Sequence, residues 1–331
     1  MNYIGSKKRL LNFIKFTIYE VVGDDLGDKT FCDLFAGTGI VGHNFKKEVK
    51  KVISNDLEYY SYILNKNFIE NNIILDSEKY FNILNNLPLI TDGFIYQNYC
   101  SGGKENRLYF SDHNGQKIDT MRKQIEEWRI NNTIDENVYY HLLSSLLECA
   151  DKVANTASMY GAYLKKLKKT ALKELVIVPK EFHINNKGDV YNRDSNELIT
   201  EIEGDILYLD PPYNARQYGS NYHMLNTIAH NEEFTPIGIT GLPEYNRSNY
   251  CSKPKVLEEF EYLISNASFK YIFLSYNNEG LMSVEDVKSV MSKYGEYTLF
   301  TTKYQRFKAD KDINRKFKAD STEEYLHVLI K

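Results

Sequence analysis

The chain has 331 residues, with 41 lysines and arginines against 45 aspartates and glutamates and a formal net charge of −4. That length buries a full core without staples, and the acidic balance excludes a globally basic nucleic-acid binder, so any such role rests on local basic patches. The four cysteines, Cys32, Cys100, Cys149 and Cys251, stand far apart without Cys-x-x-Cys spacing. This argues against zinc and against a secreted disulfide framework, and fits a reducing cytoplasm.

In chain order, the first eight residues read as a polar lead containing Gly5-Ser6 and carrying Tyr3 and Lys7. No apolar run of signal-peptide or membrane-spanning length follows, so the expectation is a soluble protein with no membrane partner. Arg9-Leu-Leu-Asn-Phe-Ile-Lys-Phe-Thr-Ile18 has helical apolar spacing. The cations Lys7, Lys8 and Arg9 oppose the dipole at that helix's start, which points to a separate reason for their presence.

Thr30-Phe-Cys-Asp-Leu-Phe35 reads as a strand, Ala36-Gly37-Thr38-Gly39-Ile40-Val41-Gly42 as a turn into a helix reaching about Lys47, and Lys51-Val-Ile-Ser-Asn-Asp56 as a second strand tipped by an acid. Gly37 and Gly39 allow the backbone close to a ligand, and Asp56 lies at the distance expected of a carboxylate that holds ribose hydroxyls. The spacing Gly37-x-Gly39-x-x-Gly42 also fits the dinucleotide fingerprint, so an NAD-dependent oxidoreductase is the competing reading. Asp33 opposes it: a carboxylate just before the glycines repels a pyrophosphate but receives an ammonium group.

Further on, Val138 to Val153 is strongly periodic and predicts a buried helix, while Ser101 to Asn106 and Asn185 to Gly188 read as turns. Leu164-Lys-Lys-Leu-Lys-Lys-Thr-Ala-Leu-Lys173 reads as an amphipathic basic helix, either merely solvated or contacting phosphates. Asp205-Ile-Leu-Tyr-Leu-Asp210 is an apolar run of buried-strand length that Pro211 and Pro212 stop. It delivers a carboxylate at Asp210, a carbonyl at Pro211 and an aromatic face at Tyr213 to the carboxyl end of a strand, where ligands of open α/β sheets sit. The trio suits a planar ring bearing an amino group: two acceptors for its N–H groups and one stacking surface. After a polar, aromatic loop from Asn214 that leads into a helix, Tyr271 to Tyr276 reads as another buried strand. Tyr297 to Lys303 and Tyr325 to Ile330 form a hairpin whose connection carries Lys303, Arg306, Lys308, Lys311, Arg315, Lys316 and Lys318 against Asp310 and Asp312. This is the most basic segment of the chain, so a nucleic-acid role resting on a local basic patch would place Arg306, Lys308 and Arg315 on the phosphate backbone.

Taken together, Tyr3-Ile-Gly-Ser-Lys7, Asp33-Leu-Phe-Ala-Gly-Thr-Gly39 and Asp210-Pro-Pro-Tyr213, in this order, resemble the alpha group of adenine-specific DNA methyltransferases, the DNA adenine methylase-like family that uses S-adenosylmethionine. Cys149 to Lys165 is similar to a segment that some relatives place before their target-recognition region. The resemblance implies an α/β, Rossmann-like methyltransferase fold: a mixed seven-stranded sheet ending in a hairpin, with a largely helical target-recognition insertion. Residues 1–75 and 200–331 would form the catalytic domain and 76–199 the insertion.

The resemblance also implies that Tyr3 (where other members often carry Trp) and Lys7 contact the cofactor. Phe35, Gly37 and Gly39 would cradle its methionine portion, Asp56 its ribose, and Asp210 would sit where cofactor and target base meet, with Pro211, Pro212 and Tyr213 completing the catalytic motif. The implied reaction methylates the 6-amino group of an adenine flipped out of double-stranded DNA, with no metal, in a restriction–modification or epigenetic system where a cognate restriction endonuclease is a further partner. A catalytically silent DNA-binding relative is a third reading, opposed by the intact Asp210 and Tyr213.

Overall fold

The computed structural model describes residues 7–305 and 321–331, so Tyr3, Arg306, Lys308 and Arg315 lie outside the described residues. The described chain falls into two compact units. One comprises Lys7–Leu57, Asn185–Gln217 and Arg247–Lys331, and the other Glu58–Ile184 and Tyr218–Asn246.

The first unit holds a seven-stranded sheet: β1 (Thr30–Asp33), β2 (Lys51–Asn55), β3 (Asp189–Tyr191), β4 (Glu203–Leu209), β5 (Ser268–Asn277), β6 (Glu296–Gln305) and β7 (Ser321–Ile330). Their order is β3-β2-β1-β4-β5-β7-β6, and only β7 runs against its neighbours. The mixed sheet and terminal hairpin are those the resemblance implies. The chain winds outward from β1 through β2 to β3, then returns to lay β4 on β1's other side, so the carboxyl ends of β1 and β4 flank a topological switch point.

The apolar run of β4 is buried on both faces: Ile206, Leu207, Tyr208 and Leu209 are all 1% exposed or less. On one face Phe31 of β1 stacks on Phe45 with ring centroids 4.4 Å apart. On the other, Leu207 and Leu209 join Ile272 and Leu274 of β5 and the buried stripes of the helices Val256–Asn266 (Phe260, Leu263) and Val284–Met291 (Val287, Val290). Each such side chain contributes about 1.5–3 kcal/mol by leaving water. At the start of β4, Asp205 Oδ2 accepts the Thr30 amide at 2.8 Å, which ties the beginnings of β4 and β1 together.

The second unit is helical. Its longest helices, Asp112–Ile130 and Glu136–Val153, open on Ser111 and Asp135, whose side chains accept the Asn114 and Val138 amides. Such caps satisfy amides that have no partner within the helix. Leu142, Leu143, Leu146 and Leu147 are fully buried, as the periodicity from Val138 predicts.

The expected helix over 164–173 is not formed. Those residues trace turns, several of whose backbone groups are taken by two buried asparagines. Asn155 donates to the Leu108 and Leu164 carbonyls, both at 2.9 Å, and accepts from the Lys168 amide at 2.9 Å. Asn114 donates to Ala171 and Lys173 carbonyls and accepts the Leu175 amide at 2.8 Å. Side-chain amides in place of an i to i−4 ladder defeat the helix that periodicity suggests. Lys165, Lys166, Lys169 and Lys173 stay exposed on this pinned loop.

Candidate active site

Three acids arrive at the carboxyl edge of the sheet from adjacent strands: Asp33 ends β1, Asp56 follows β2, and Asp210 follows β4. Between β1 and the next helix, Gly37 and Gly39 take φ of 52° and 73°, left-handed values that a side chain would strain. The turn is held between two carboxylates: Asp56 Oδ2 accepts the Gly37 amide at 2.7 Å, and Asp33 Oδ2 accepts the Gly42 amide at 3.1 Å. Asn55, which the sequence reading passed over as a strand residue, braces the turn from below. Its amide donates to the Leu34 and Arg193 carbonyls at 3.2 and 3.1 Å, and its oxygen accepts the Arg193 amide at 3.1 Å. Phe35 meets Tyr250 edge-on at 5.1 Å beside the turn.

At the end of β4, Lys7 is brought in by the 3-10 turn Lys7–Arg9 and is 3% exposed. Its Nζ lies 2.9 Å from Asp210 Oδ1, donates to the Tyr213 hydroxyl and sits 4.5 Å from the centroid of that ring. The Tyr213 hydroxyl in turn donates to Asp210 Oδ1. Thus one carboxylate oxygen receives both Lys7 and Tyr213. Behind Pro211 and Pro212, the Tyr213 backbone is fixed by its carbonyl, which accepts the Leu281 amide at 2.9 Å. Tyr276 braces the ring edge-on at 5.3 Å, while its own hydroxyl accepts the Leu281 and Met282 amides. Gly280 packs so closely on Tyr276 that no Cβ fits there. In the sequence, Tyr276 merely closes an apolar run and reads as core; no local signal marks it as a support for Tyr213.

Burial raises the Asp33 carboxyl from 3.8 to about 8; the Asp210 and Asp56 charges add to the rise, while the Gly42 amide and Lys7 oppose it. Burial likewise pushes Asp210 to about 6, against the pull of the Lys7 ammonium and its hydrogen bond. At neutral pH the edge therefore holds Asp33 as a buried, largely neutral acid near the ionised Asp210, with Lys7 the cation that lowers both.

Residues 3–290 match the family described as D12 class N6 adenine-specific DNA methyltransferase. The chain belongs to this family. It is similar to Type II methyltransferase M.NlaIII of Neisseria lactamica, at 60% identity over 333 residues covering 100% of this chain and 99% of that protein. Type II methyltransferase M.CviAII of Paramecium bursaria Chlorella virus 1 is 40% identical, with 93% of each chain covered. Type II methyltransferase M.FokI of Planomicrobium okeanokoites is 39% identical, and this chain spans 53% of its length.

As a member of the family, the protein transfers a methyl group from S-adenosylmethionine to the 6-amino group of adenine in DNA. Its donor set fits that cofactor. A molecule with a sulfonium and an ammonium group compensates the ionised forms of Asp33 and Asp210, which burial disfavours, whereas the pyrophosphate of a nicotinamide dinucleotide disfavours them further. With the family shown, the oxidoreductase reading of the glycine turn falls. Lys7, which the resemblance assigns to the cofactor, stands on Asp210 and Tyr213.

Proposed function

We propose that this chain is the modification enzyme of a Type II restriction–modification pair, acting in the cytoplasm beside an endonuclease that cuts the same DNA word. The single observation supporting its residue roles is the junction of Lys7, Asp210 and Tyr213 at the end of β4, next to the acids that end β1 and β2. Asp33 receives the ammonium of the cofactor, Asp56 its ribose hydroxyls, and Phe35, Gly37 and Gly39 its methionine portion. When bound, S-adenosylmethionine supplies a methyl group activated on cationic sulfur.

The residues of the chain then act on the base. Extrusion of adenine from the duplex costs about a few kcal/mol, and stacking on Tyr213 offsets roughly 1–3 kcal/mol of it. With Oδ1 engaged by Lys7 and Tyr213, Asp210 offers Oδ2 to the amino group, and the Pro211 carbonyl accepts the second N–H. The amino lone pair, otherwise delocalised into the ring, is turned toward the methyl by these two acceptors. As positive charge develops on the nitrogen, both bonds strengthen, so the site favours the transition state over the ground state. Asp210 is no base before attack, because an aromatic amine is too weak an acid.

We assign recognition of the DNA word to the helical unit; its exposed Lys165, Lys166, Lys169 and Lys173 suit phosphate contacts, which hold the duplex in place without reading the word. Sequencing that detects modified bases, applied to DNA from cells expressing the chain, tests the reading. One short word carrying N6-methyladenine is expected, together with resistance to an endonuclease that cuts it. Modified adenines without a common word would refute the Type II assignment.

A further inference from the structure

On β7, Glu323 faces solvent while Glu324 is 7% exposed. Glu324 pairs across the ladder with Asn277, the last residue of β5, so it reaches the same edge of the sheet as Asp210. Strand alternation puts it on one face with Leu326 and Val328, both fully buried, where packing alone asks for an apolar residue. The Asn277 side chain hydrogen-bonds the carboxyl, yet Oε2 has no hydrogen-bond partner among the described residues. Electrostatically, Glu324 is coupled to Lys7, Asp210 and Tyr208. A buried acid is costly unless a cation compensates it, and Lys7 is the cation coupled to it.

We propose that Glu324 is a positioning residue for methyl transfer, its charge steadying the Lys7 ammonium beside Asp210 and Tyr213. The argument rests on the role given to Asp210 above. A lysine carries a point charge on a flexible stem with three donors. Two of them serve the Asp210 carboxylate and the Tyr213 hydroxyl. A second acid electrostatically coupled to the ammonium keeps it from following small movements of Asp210, so Asp210 keeps Oδ1 turned to Lys7 and presents Oδ2 to the base in one orientation. Glu324 acts through Lys7 and touches neither cofactor nor adenine.

The test is a double-mutant cycle of Glu324→Gln and Lys7→Met in the full chain, read as the single-turnover methylation rate with DNA and S-adenosylmethionine saturating. Glu324→Gln keeps shape and the Asn277 contact while removing the charge. It is expected to slow the wild type by about tenfold to a hundredfold, the range set by misplacing a reacting group, with binding of both ligands unchanged. In the Lys7→Met background it is expected to cost nothing further. A rate within twofold of wild type, or an equal loss in both backgrounds, overturns the proposal. Should Glu324→Gln not fold, carbon-13 titration of the Glu324 carboxyl in Lys7→Met protein decides: its midpoint is expected to rise, and an unmoved midpoint overturns the proposal. Asp210→Ala protein that methylated normally would instead refute the role of Asp210, an outcome the cycle does not produce.

Discussion

Asp33 is the residue whose replacement is most informative. It lies 1% exposed at the end of β1, and burial lifts its carboxyl to about 8 from an ordinary 3.8. A folded-state value above the unfolded one means that folding takes up a proton between those limits. Its contribution is therefore most favourable in acid and is lost as pH rises from about 4 toward 8. At about 1.4 kcal/mol per pH unit, the loss by pH 7 is on the order of 4 kcal/mol. Asp33→Asn retains an oxygen for the Gly42 amide but cannot ionise. The Tm of the variant should therefore gain on that of wild type as pH rises from 4 to 8.

The same substitution removes the acceptor for the cofactor ammonium. A hydrogen bond to a charged group is worth about 1.5–3 kcal/mol, which is roughly a tenfold to hundredfold loss of S-adenosylmethionine affinity. Binding to wild type at pH 7 should also release close to one proton, because the ammonium ionises a carboxyl that is neutral beforehand. Calorimetry in two buffers of different ionisation enthalpy measures this release. No proton released, together with equal affinity in Asp33→Asn, would refute the reasoning.

Three further outcomes follow from the same geometry. Tyr213→Ala should lose the roughly 1–3 kcal/mol of stacking as a fall in kcat/KM, whereas Tyr213→Phe keeps the ring and should lose less; equal losses would make the hydroxyl, not the ring, essential. Methylation should fail as pH drops through about 6, where Asp210 takes up a proton and one acceptor oxygen becomes a donor; activity flat from pH 7 to 5 would contradict this. Replacing Lys165, Lys166, Lys169 and Lys173 with alanine should weaken binding to all duplexes alike and reduce the slope of log affinity against log salt by about 0.9 per lost phosphate contact; an unaltered slope would mean the loop is only solvated.

Much of the sheet is legible because its strands are short apolar runs stopped by particular residues: glycines after β1, an acid after β2, and Pro211-Pro212 after β4. β3 escapes such reading, since Asp189–Tyr191 is three residues of half-buried edge with no apolar run. The 164–173 segment has the right spacing for a helix, but its backbone partners come from Asn114 and Asn155, distant residues that no local pattern reveals. The acids of the site are visible as strand ends. Their electrostatic coupling is not, because it depends on strand order bringing β2, β1 and β4 side by side. Glu324 is hidden for the same reason: in sequence it is one of two adjacent glutamates, and only the register with Asn277 carries it to the site.

The central claim is that Asp210 and its neighbours direct a methyl group to the 6-amino nitrogen of adenine. Its most direct measurement is mass spectrometry of nucleosides from duplex DNA incubated with purified protein and S-adenosylmethionine carrying a labelled methyl group. Label in N6-methyladenine alone, and none with Asp210→Ala, is the predicted result. Label in methylated cytosine, or undiminished adenine labelling by Asp210→Ala, would contradict the account.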